Sequence, residues 1–284
     1  MQIVVASGKG GTGKSLVSLN LALSLSEQMP VTLVDCDAEE PNLHLFSLNE
    51  EIKEEQKVFV TIPSWNKELC TYCGLCGEFC QYGAIVVLPE QILFFQEHCH
   101  SCGGCSLVCP EKAITEINHQ IGSVISSDFR PNCLLITGKL NPGEIRTPPV
   151  ISASLNKAKK GLVIRDAPPG VACPVIESVS GADVCVLVTE STPFGLHDLK
   201  AALELTRVFG IPAGVVINKS DGKDSLITDY CHSENLPIFL TIPFTREIAL
   251  IQGSGKIIAE QDATWKDAFL MLYHDIEDLI RGQK

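Results

Sequence analysis

The sequence predicts an α/β fold: a doubly wound, mostly parallel sheet interrupted by a small cysteine-rich α+β unit. Three observations carry this reading. A glycine-rich stretch, Ser7-Gly8-Lys9-Gly10-Gly11-Thr12-Gly13-Lys14-Ser15, lies between a short apolar run, Ile3 to Ala6, and a segment with Leu16, Leu19 and Leu23 at helical spacing. Later apolar runs of strand length end in Asp or Asn and alternate with helical patterns, as in a parallel sheet with crossover helices. Between these parts, two runs of four cysteines repeat, with Cys99 standing 29 residues after Cys70.

The glycine-rich stretch fits G-x-x-x-x-G-K-S/T, and its strand-before, helix-after context gives the pattern a mechanism. Glycines let the backbone fold tightly with its N–H groups inward, so the loop and the helix N-terminus form a concave anion site. Gly8, Gly10, Gly11, Thr12, Gly13, Lys14 and Ser15 are the expected nucleotide contacts. Lys14 reaches the β and γ phosphates, and Ser15 holds Mg²⁺. A second lysine, Lys9, is foreign to ordinary phosphate loops. With it, Lys-Gly-Gly-Thr-Gly-Lys-Ser resembles the deviant Walker A motif of the MinD, ParA, Mrp and nitrogenase iron protein superfamily. The resemblance implies an ATPase, slow and stimulated by a partner, working as a homodimer in which Lys9 contacts phosphate across a nucleotide sandwich.

At 284 residues and 45% apolar content the chain can bury one full α/β core and a small second unit. No apolar run approaches the roughly 20 residues of a membrane span. Met1-Gln2 leads directly into a strand without the basic start of a signal peptide, so the expected location is cytoplasmic, with no stable membrane anchor. A net charge of −12 disfavours nucleic acid as a partner, because neutralising phosphates needs a basic surface. Eight of the 13 cysteines fall in the two tight runs, which in a cytoplasmic chain points to metal or cluster binding rather than disulfides.

Pro30 to Asp37 is an apolar strand ending in Asp35-Cys36-Asp37. In the superfamily this strand lies beside the phosphate loop, and the resemblance places Asp37 to orient the attacking water or the metal. Aspartates also follow strands simply as turn residues. The continuation Ala38-Glu39-Glu40-Pro41-Asn42-Leu43-His44-Leu45 resembles the subgroup of MinD-type ATPases that carry an inserted ferredoxin domain. Residues 49–57, rich in Glu and Lys, read as a solvated connection before an apolar strand, Val58 to Ile62.

Cys70-x2-Cys73-x2-Cys76-x3-Cys80 and Cys99-x2-Cys102-x2-Cys105-x3-Cys109-Pro110 then follow. The repeat also superposes Gly74 on Gly103, Ala84 on Ala113 and Ile85 on Ile114. It resembles a two-cluster bacterial-type ferredoxin, in which three cysteines of one run hold one 4Fe-4S cluster and the fourth ligates the other. Cys70, Cys73, Cys76 and Cys109 are thus assigned to one cluster, and Cys99, Cys102, Cys105 and Cys80 to the second. Zinc is the alternative for Cys-x2-Cys pairs. Gln81 stands where a proline usually follows the fourth cysteine, which predicts a looser turn in the first half. His98 and His100 flank Cys99 as solvated or hydrogen-bonding groups. The insert spans residues 63–117, leaving 1–62 and 118–284 as a discontinuous nucleotide-binding domain.

Gly161 to Gly170 is an apolar strand ending in Asp166-Ala167-Pro168-Pro169-Gly170 and resembles the Walker B and switch II segment. The resemblance implies that Asp166 holds Mg²⁺ through its water shell and that Gly170 senses the γ-phosphate. Cys173 lies where nitrogenase iron protein has a cluster-ligating cysteine, but no second bridging position exists here. It is read as a buried, inert thiol, like Cys36, Cys133, Cys185 and Cys231.

Cys133 to Thr137 and Ala182 to Thr189 read as strands, Asn141-Pro142-Gly143 as a turn, and Gly195 to Phe209 as a helix. Gly214 to Asp221 ends a further strand at Asn218, where the superfamily reads adenine. Asn218-Lys219-Ser220-Asp221 also fits the guanine-reading pattern of GTPases, so ATP is preferred on family grounds with GTP left open. Ile242-Pro243-Phe244 resembles the loop beside the base and brings Pro243 to the site. The last helix carries Trp265, Phe269, Leu272, Ile276 and Leu279 on one face and Asp267, Asp275, Glu277 and Asp278 on the other. Anionic lipid repels such a face, so it packs on the core. Three functions remain: an ATPase whose nucleotide state controls electron transfer to a partner protein, an iron-sulfur carrier or assembly ATPase, and a MinD-like positioning switch with structural clusters.

Overall fold

The computed structural model of the chain describes residues 1–47, 51–158 and 161–282. The strands and helices follow in the order β1 (Gln2–Ala6), α1 (Lys14–Ser26), β2 (Val31–Asp35), β3 (Glu51–Trp65), α2 (Leu75–Phe79), β4 (Ile85–Leu88), β5 (Gln91–Phe94), α3 (Gly104–Leu107), β6 (Ile114–Arg130) and β7 (Cys133–Leu140). They continue with α4 (Thr147–Lys157), β8 (Leu162–Asp166), α5 (Cys173–Val179), β9 (Val184–Glu190), α6 (Pro193–Val208), β10 (Ala213–Ser220), α7 (Ser225–Ser233), β11 (Ile238–Pro243), α8 (Arg246–Gly253), α9 (Ile258–Gln261) and α10 (Ala263–Gly282).

Strands apolar on both faces need cover on both faces, and the two-residue period delivers it. In β1, Ile3 and Val5 face one layer with α1 and α10, while Val4 and Ala6 face the opposite layer with α5, α6 and α7. Among the described residues the sheet order is β11-β10-β9-β1-β8-β2-β7-β6-β3. The strands from β11 to β7 are parallel, and β6 and β3 add an antiparallel edge. The order reverses at β1, whose neighbours are β8 and β9, and ligands of such sheets bind beyond the C-terminal strand ends at that point. On α10, Phe269, Leu272 and Ile276 are wholly buried in the layer shared with α1, as its apolar face requires. No described helix is long and apolar enough to cross a membrane.

The edge departs from expectation. Residues 51–57 are not a solvated connection but the first half of β3, paired with β6 from Glu51↔Asp128 onward. Residues 49 and 50 lie outside the described residues. β6 pairs with β7 only over Gly122–Arg130, so its first half and the second half of β3 leave the sheet together as a ribbon. A bulge between Val58 and Phe59 marks the departure, and at Gly122 a Cβ would stand 2.3 Å from the Lys139 carbonyl oxygen. Pro63 and Asn118, the expected edges of the insert, fall inside these continuous strands. The cysteine-rich unit, with α2, α3 and the β4–β5 hairpin, therefore grows out of the sheet on two shared strands rather than hanging on a linker.

Candidate functional site

The phosphate loop spans the gap from β1 to α1. Gly13 holds φ at 98°, and a Cβ there would lie 2.1 Å from Asn218 Nδ2. At Gly8 a Cβ would lie 2.4 Å from the Asp198 carbonyl oxygen, so α6 presses on the loop too closely for any side chain. Lys14 Nζ donates to Ser7 Oγ (3.0 Å) and to the Lys9 carbonyl (3.4 Å), which holds the ammonium within the loop. Thr12 Oγ1 is buried without a hydrogen-bond partner, the kind of orphaned donor that a phosphate oxygen satisfies. Gly10 and Gly11 form the exposed crest. Gly170, at φ 94°, donates its N–H to the Ser7 carbonyl (3.1 Å), so the segment after β8 is latched to the start of the loop.

The C-terminal ends of β2 and β8 bring two buried carboxylates side by side, Asp35 in register with Asp166. Asp166 accepts from Ser15 Oγ (2.7 Å) and Ser18 Oγ (2.8 Å), which places it directly behind the hydroxyl expected on Mg²⁺. Asp35 accepts from the N–H groups of Asp37, Asn42 and Leu43 and so pins the loop that carries Asp37. Burial pushes Asp35 up to about 7, with the Asp166 charge adding and the three N–H groups opposing. Burial pushes Asp166 up to about 6, against its two serines and Lys14. Burial lowers Lys14, opposed by Asp166 and Asp37, and raises the half-buried Asp37.

A carboxyl raised in this way binds its proton more tightly folded than unfolded. Between its ordinary 3.8 and about 7, Asp35 therefore makes stability fall as pH rises, and above that window its contribution is constant. In the nucleotide-free protein, Asp35→Asn is expected to flatten the loss of stability between about pH 5.5 and about pH 7.5. Urea unfolding at the two pH values checks it; an unchanged slope would remove Asp35 as its source.

Lys9 is turned toward its own chain, with Nζ 3.3 Å from Glu190 Oε2. Glu190 also pairs with Lys219 (2.7 Å), whose Nζ donates to the Gly11 carbonyl (2.7 Å). Burial raises Glu190, but Lys219 and Lys9 outweigh it and hold the carboxyl below its usual range. Asn218 is buried beneath the loop and donates from Nδ2 to the Thr12 carbonyl (2.7 Å), so its amide braces the loop. Pro243 is exposed at the end of β11, in register with Ser220. Asp35 as an anchor, Ser18 and Glu190 become visible only in the fold, as does the pairing of Lys219 with Glu190 and the Gly11 carbonyl. The one local signal was Glu190, a third carboxylate at the C-terminal end of an apolar strand.

In the cysteine-rich unit the structure brings Cys70, Cys73, Cys76 and Cys109 together around one cavity, with Trp65, Val87 and Ile92 in its wall. Cys99, Cys102, Cys105 and Cys80 line the other. Each cavity thus takes three cysteines from one run and its fourth from the other. The halves repeat in backbone as well: Tyr72 and Ser101 both have φ 54°, Gly74 and Gly103 have 87° and 71°, and Gly83 and Lys112 have 63° and 50°. Such left-handed residues turn N–H groups toward sulfur, as in Ser101 N–H to Cys99 Sγ (3.4 Å) and Ala113 N–H to Cys109 Sγ (3.3 Å). Burial raises the Cys76 thiol and pushes Cys105 up to about 11. Among the described residues no three His, Cys, Asp or Glu side chains gather tightly enough for a single ion.

The looser turn expected at Gln81 is not there. Gly83 N–H donates to the Cys80 carbonyl and Lys112 N–H to the Cys109 carbonyl, both at 3.2 Å, so backbone closes the turn with or without proline. His98 and His100 are exposed, and His100 lies flat on Tyr82 with ring centroids 3.6 Å apart. Cys36, Cys133, Cys185 and Cys231 are buried, and burial raises each thiol. Cys173 corrects the expectation: it is exposed, because it opens α5 at the surface directly after the turn around Gly170.

A phosphate loop beyond the central parallel strand, flanked by carboxylate-ended strands, defines a P-loop nucleotide-binding protein. The chain belongs to the CobQ/CobB/MinD/ParA nucleotide binding domain family, whose model matches residues 3–258. Two uncharacterized proteins of Methanocaldococcus jannaschii are similar to it. MJ0579 is 32% identical over 226 residues, 77% of this chain and 80% of that one, and MJ0578 is 29% identical over 285 residues, 99% and 98%. The polyferredoxin protein MvhB of Methanothermus fervidus is 42% identical over 52 residues, 17% of this chain and 12% of that protein. Among solved structures, the septum site-determining protein MinD of Pyrococcus horikoshii, complexed with Mg-ADP, superposes with a TM-score of 0.61 at 18% identity, covering 98% of this chain and 96% of that one. The MinC:MinD cell division complex of Aquifex aeolicus gives 0.58 at 15%, covering 97% and 95%. At these identities the likeness speaks for the fold.

Proposed function

We propose that this chain is an ATP-hydrolysing homodimer whose nucleotide state controls electron transfer, through two 4Fe-4S clusters, to a redox partner protein. The observation that carries the reading is the crossed pairing of cysteines around two cavities in the same molecule as the phosphate loop. Eight thiols in a three-plus-one arrangement around two cavities, with N–H groups turned toward sulfur, fit two cubanes better than zinc. Bound there, the clusters supply one-electron transfer.

The chain's own groups do the rest. Lys14 would neutralise the β and γ phosphates, Ser15 would hold Mg²⁺, and Asp166, which accepts from Ser15 Oγ, would orient that hydroxyl. Asp37, on a loop pinned by Asp35, orients the attacking water. Gly170 exchanges its bond to the Ser7 carbonyl for one to the γ-phosphate, which makes the segment after β8 a sensor of that phosphate. Lys9 leaves Glu190 to reach the nucleotide of the second protomer. Asn218 and Pro243 border the base.

Anaerobically purified protein is expected to hold about eight irons per chain, as two four-iron clusters require, and to hydrolyse ATP at different rates in its oxidised and dithionite-reduced forms. One tightly bound zinc in place of iron would overturn the cluster reading. A second reading, an iron-sulfur carrier, is favoured by the exposure of Cys173 beside the same nucleotide-sensing segment. Loss of cluster transfer to an apo-acceptor in Cys173→Ala would support it, and unaltered transfer would remove Cys173 from that role.

A further inference from the structure

We infer that the turn over residues 141–147 links the nucleotide site to the second cysteine cavity, with Arg146 and Thr147 as its positioning residues. The inference rests on the coupled reading above and adds the route.

The turn is fixed at its base by β6 and by the loop that carries Asp37. Leu140 N–H donates to the Ala38 carbonyl (2.9 Å), and Asn141 donates from its backbone to Ile121 (2.8 Å) and from its side chain to Gln120 (2.9 Å). Within the turn, Glu144 and Arg146 form a buried pair, with side chains 6% and 7% exposed. Arg146 Nε meets Glu144 Oε1 at 2.6 Å and Nη2 meets Oε2 at 2.5 Å. Glu144 Oε1 also accepts the N–H groups of Ile145 (2.9 Å) and Arg146 (3.1 Å). With its orientation fixed this way, the guanidinium has one direction left for Nη1, and that nitrogen donates to Ser101 Oγ (3.1 Å).

Ser101 lies between Cys99 and Cys102, and its own N–H is the one on Cys99 Sγ. A second strand of the network reaches the same place: His119 Nε2 is 3.5 Å from Glu144 Oε2, and Gln96, three residues before Cys99, stands 2.9 Å from His119 Nε2. In the other direction, Thr147 is 2% exposed and donates from Oγ1 to Glu39 Oε1 (3.0 Å). Glu39 is two residues from Asp37. Covalent neighbours and hydrogen bonds therefore run without a gap from Asp37 through Glu39, Thr147, Arg146 and Ser101 to the sulfur of Cys99.

A buried ion pair is poor value as stabilisation, because desolvating both charges offsets most of their attraction; its best use is to fix geometry. Here it fixes a rigid corner between two loops. A shift of the Asp37 loop on γ-phosphate binding, which the route requires, passes through Glu39 to the start of α4 and through Arg146 to the N–H environment of Cys99. Hydrogen bonds to cluster sulfurs set the reduction potential, so the nucleotide acts on the second cluster rather than the first. By linkage, the oxidation state of that cluster acts equally on nucleotide affinity.

The test measures ADP and non-hydrolysable ATP analogue affinities of the iron-loaded full chain, oxidised and dithionite-reduced, in the wild type, Thr147→Val and Ser101→Ala. Wild type is expected to differ about tenfold between redox states, equivalent to about 59 mV for a one-electron couple. Each variant is expected to differ less than about twofold while keeping its iron, within the usual scale of allosteric coupling. As a second readout, amide hydrogen exchange over residues 99–103 responds to the ATP analogue in the wild type and not in Thr147→Val. Variants that keep the full tenfold difference, or a nucleotide-dependent EPR shift confined to the cluster of Cys70, Cys73, Cys76 and Cys109, would overturn the route while leaving the coupled function standing. No redox dependence in the wild type would remove the coupled function and the route together.

Discussion

Lys14→Ala is expected to weaken ATP binding by at least about 100-fold, which at 1.4 kcal/mol per decade is about 3 kcal/mol. The size follows from what the side chain does. Its ammonium is buried within the loop, held by Ser7 Oγ and the Lys9 carbonyl, and stands among the charges of Asp166 and Asp37. Charge-assisted hydrogen bonds contribute about 1.5–3 kcal/mol each, and the lysine serves two phosphates. Without it, the charges acting at its position are the carboxylates of Asp166 and Asp37, so the loop's N–H groups bind phosphate there against local repulsion. Asp37→Ala and Asp166→Ala act differently: both leave the loop and its lysine in place, and both are expected to slow hydrolysis far more than they weaken binding. Titration with a fluorescent ATP analogue separates the two effects. Wild-type affinity in Lys14→Ala would refute the site.

The second large effect concerns the crossing of the cysteines. Cys80 belongs by sequence to the first run but by position to the cavity of Cys99, Cys102 and Cys105. Cys80→Ala is therefore expected to lower iron from about eight to about four per chain and to leave the same EPR spectrum as Cys99→Ala, since each removes the same four-iron cluster. Cys109→Ala is expected to match Cys70→Ala in the same way, through the other cavity. If each run held its own cluster, Cys80→Ala would match Cys70→Ala instead.

The parts of this molecule legible in the sequence are those whose chemistry demands local spacing. The phosphate loop, the carboxylate that ends β8 and the two cysteine runs each pack their requirement into a few consecutive residues. β3 was legible only in its second half. It is the outermost strand of the sheet, and its first half carries Ile52-Lys53-Glu54-Glu55-Gln56-Lys57, the charged composition that keeps an open edge from pairing with another chain. Such a strand reads as a solvated connection because its side chains are solvated. Cys173 differs from the buried thiol expected of a cysteine with no bridging partner, because it opens α5 at the surface directly after the turn around Gly170. Glu190 and Arg146 have partners at Lys219 and Ser101, 29 and 45 positions away, and no local pattern announces a pairing across that distance.

Gly13 shows how one position can serve two requirements at once. The sequence assigns it to the loop's tight turn, and the structure adds Asn218, whose amide occupies the space a side chain would need. The residue expected at the base thus also holds the phosphate loop in shape, tying the end of β10 to the start of α1.

An EPR-monitored redox titration of the anaerobic protein, carried out without nucleotide, with ADP and with a non-hydrolysable ATP analogue, reads the coupling between nucleotide and cluster itself. The analogue is expected to move the potential of one cluster, that of Cys80, Cys99, Cys102 and Cys105, by about 60 mV, which for one electron is about 1.4 kcal/mol of coupling. Potentials unchanged by nucleotide in both clusters would contradict it.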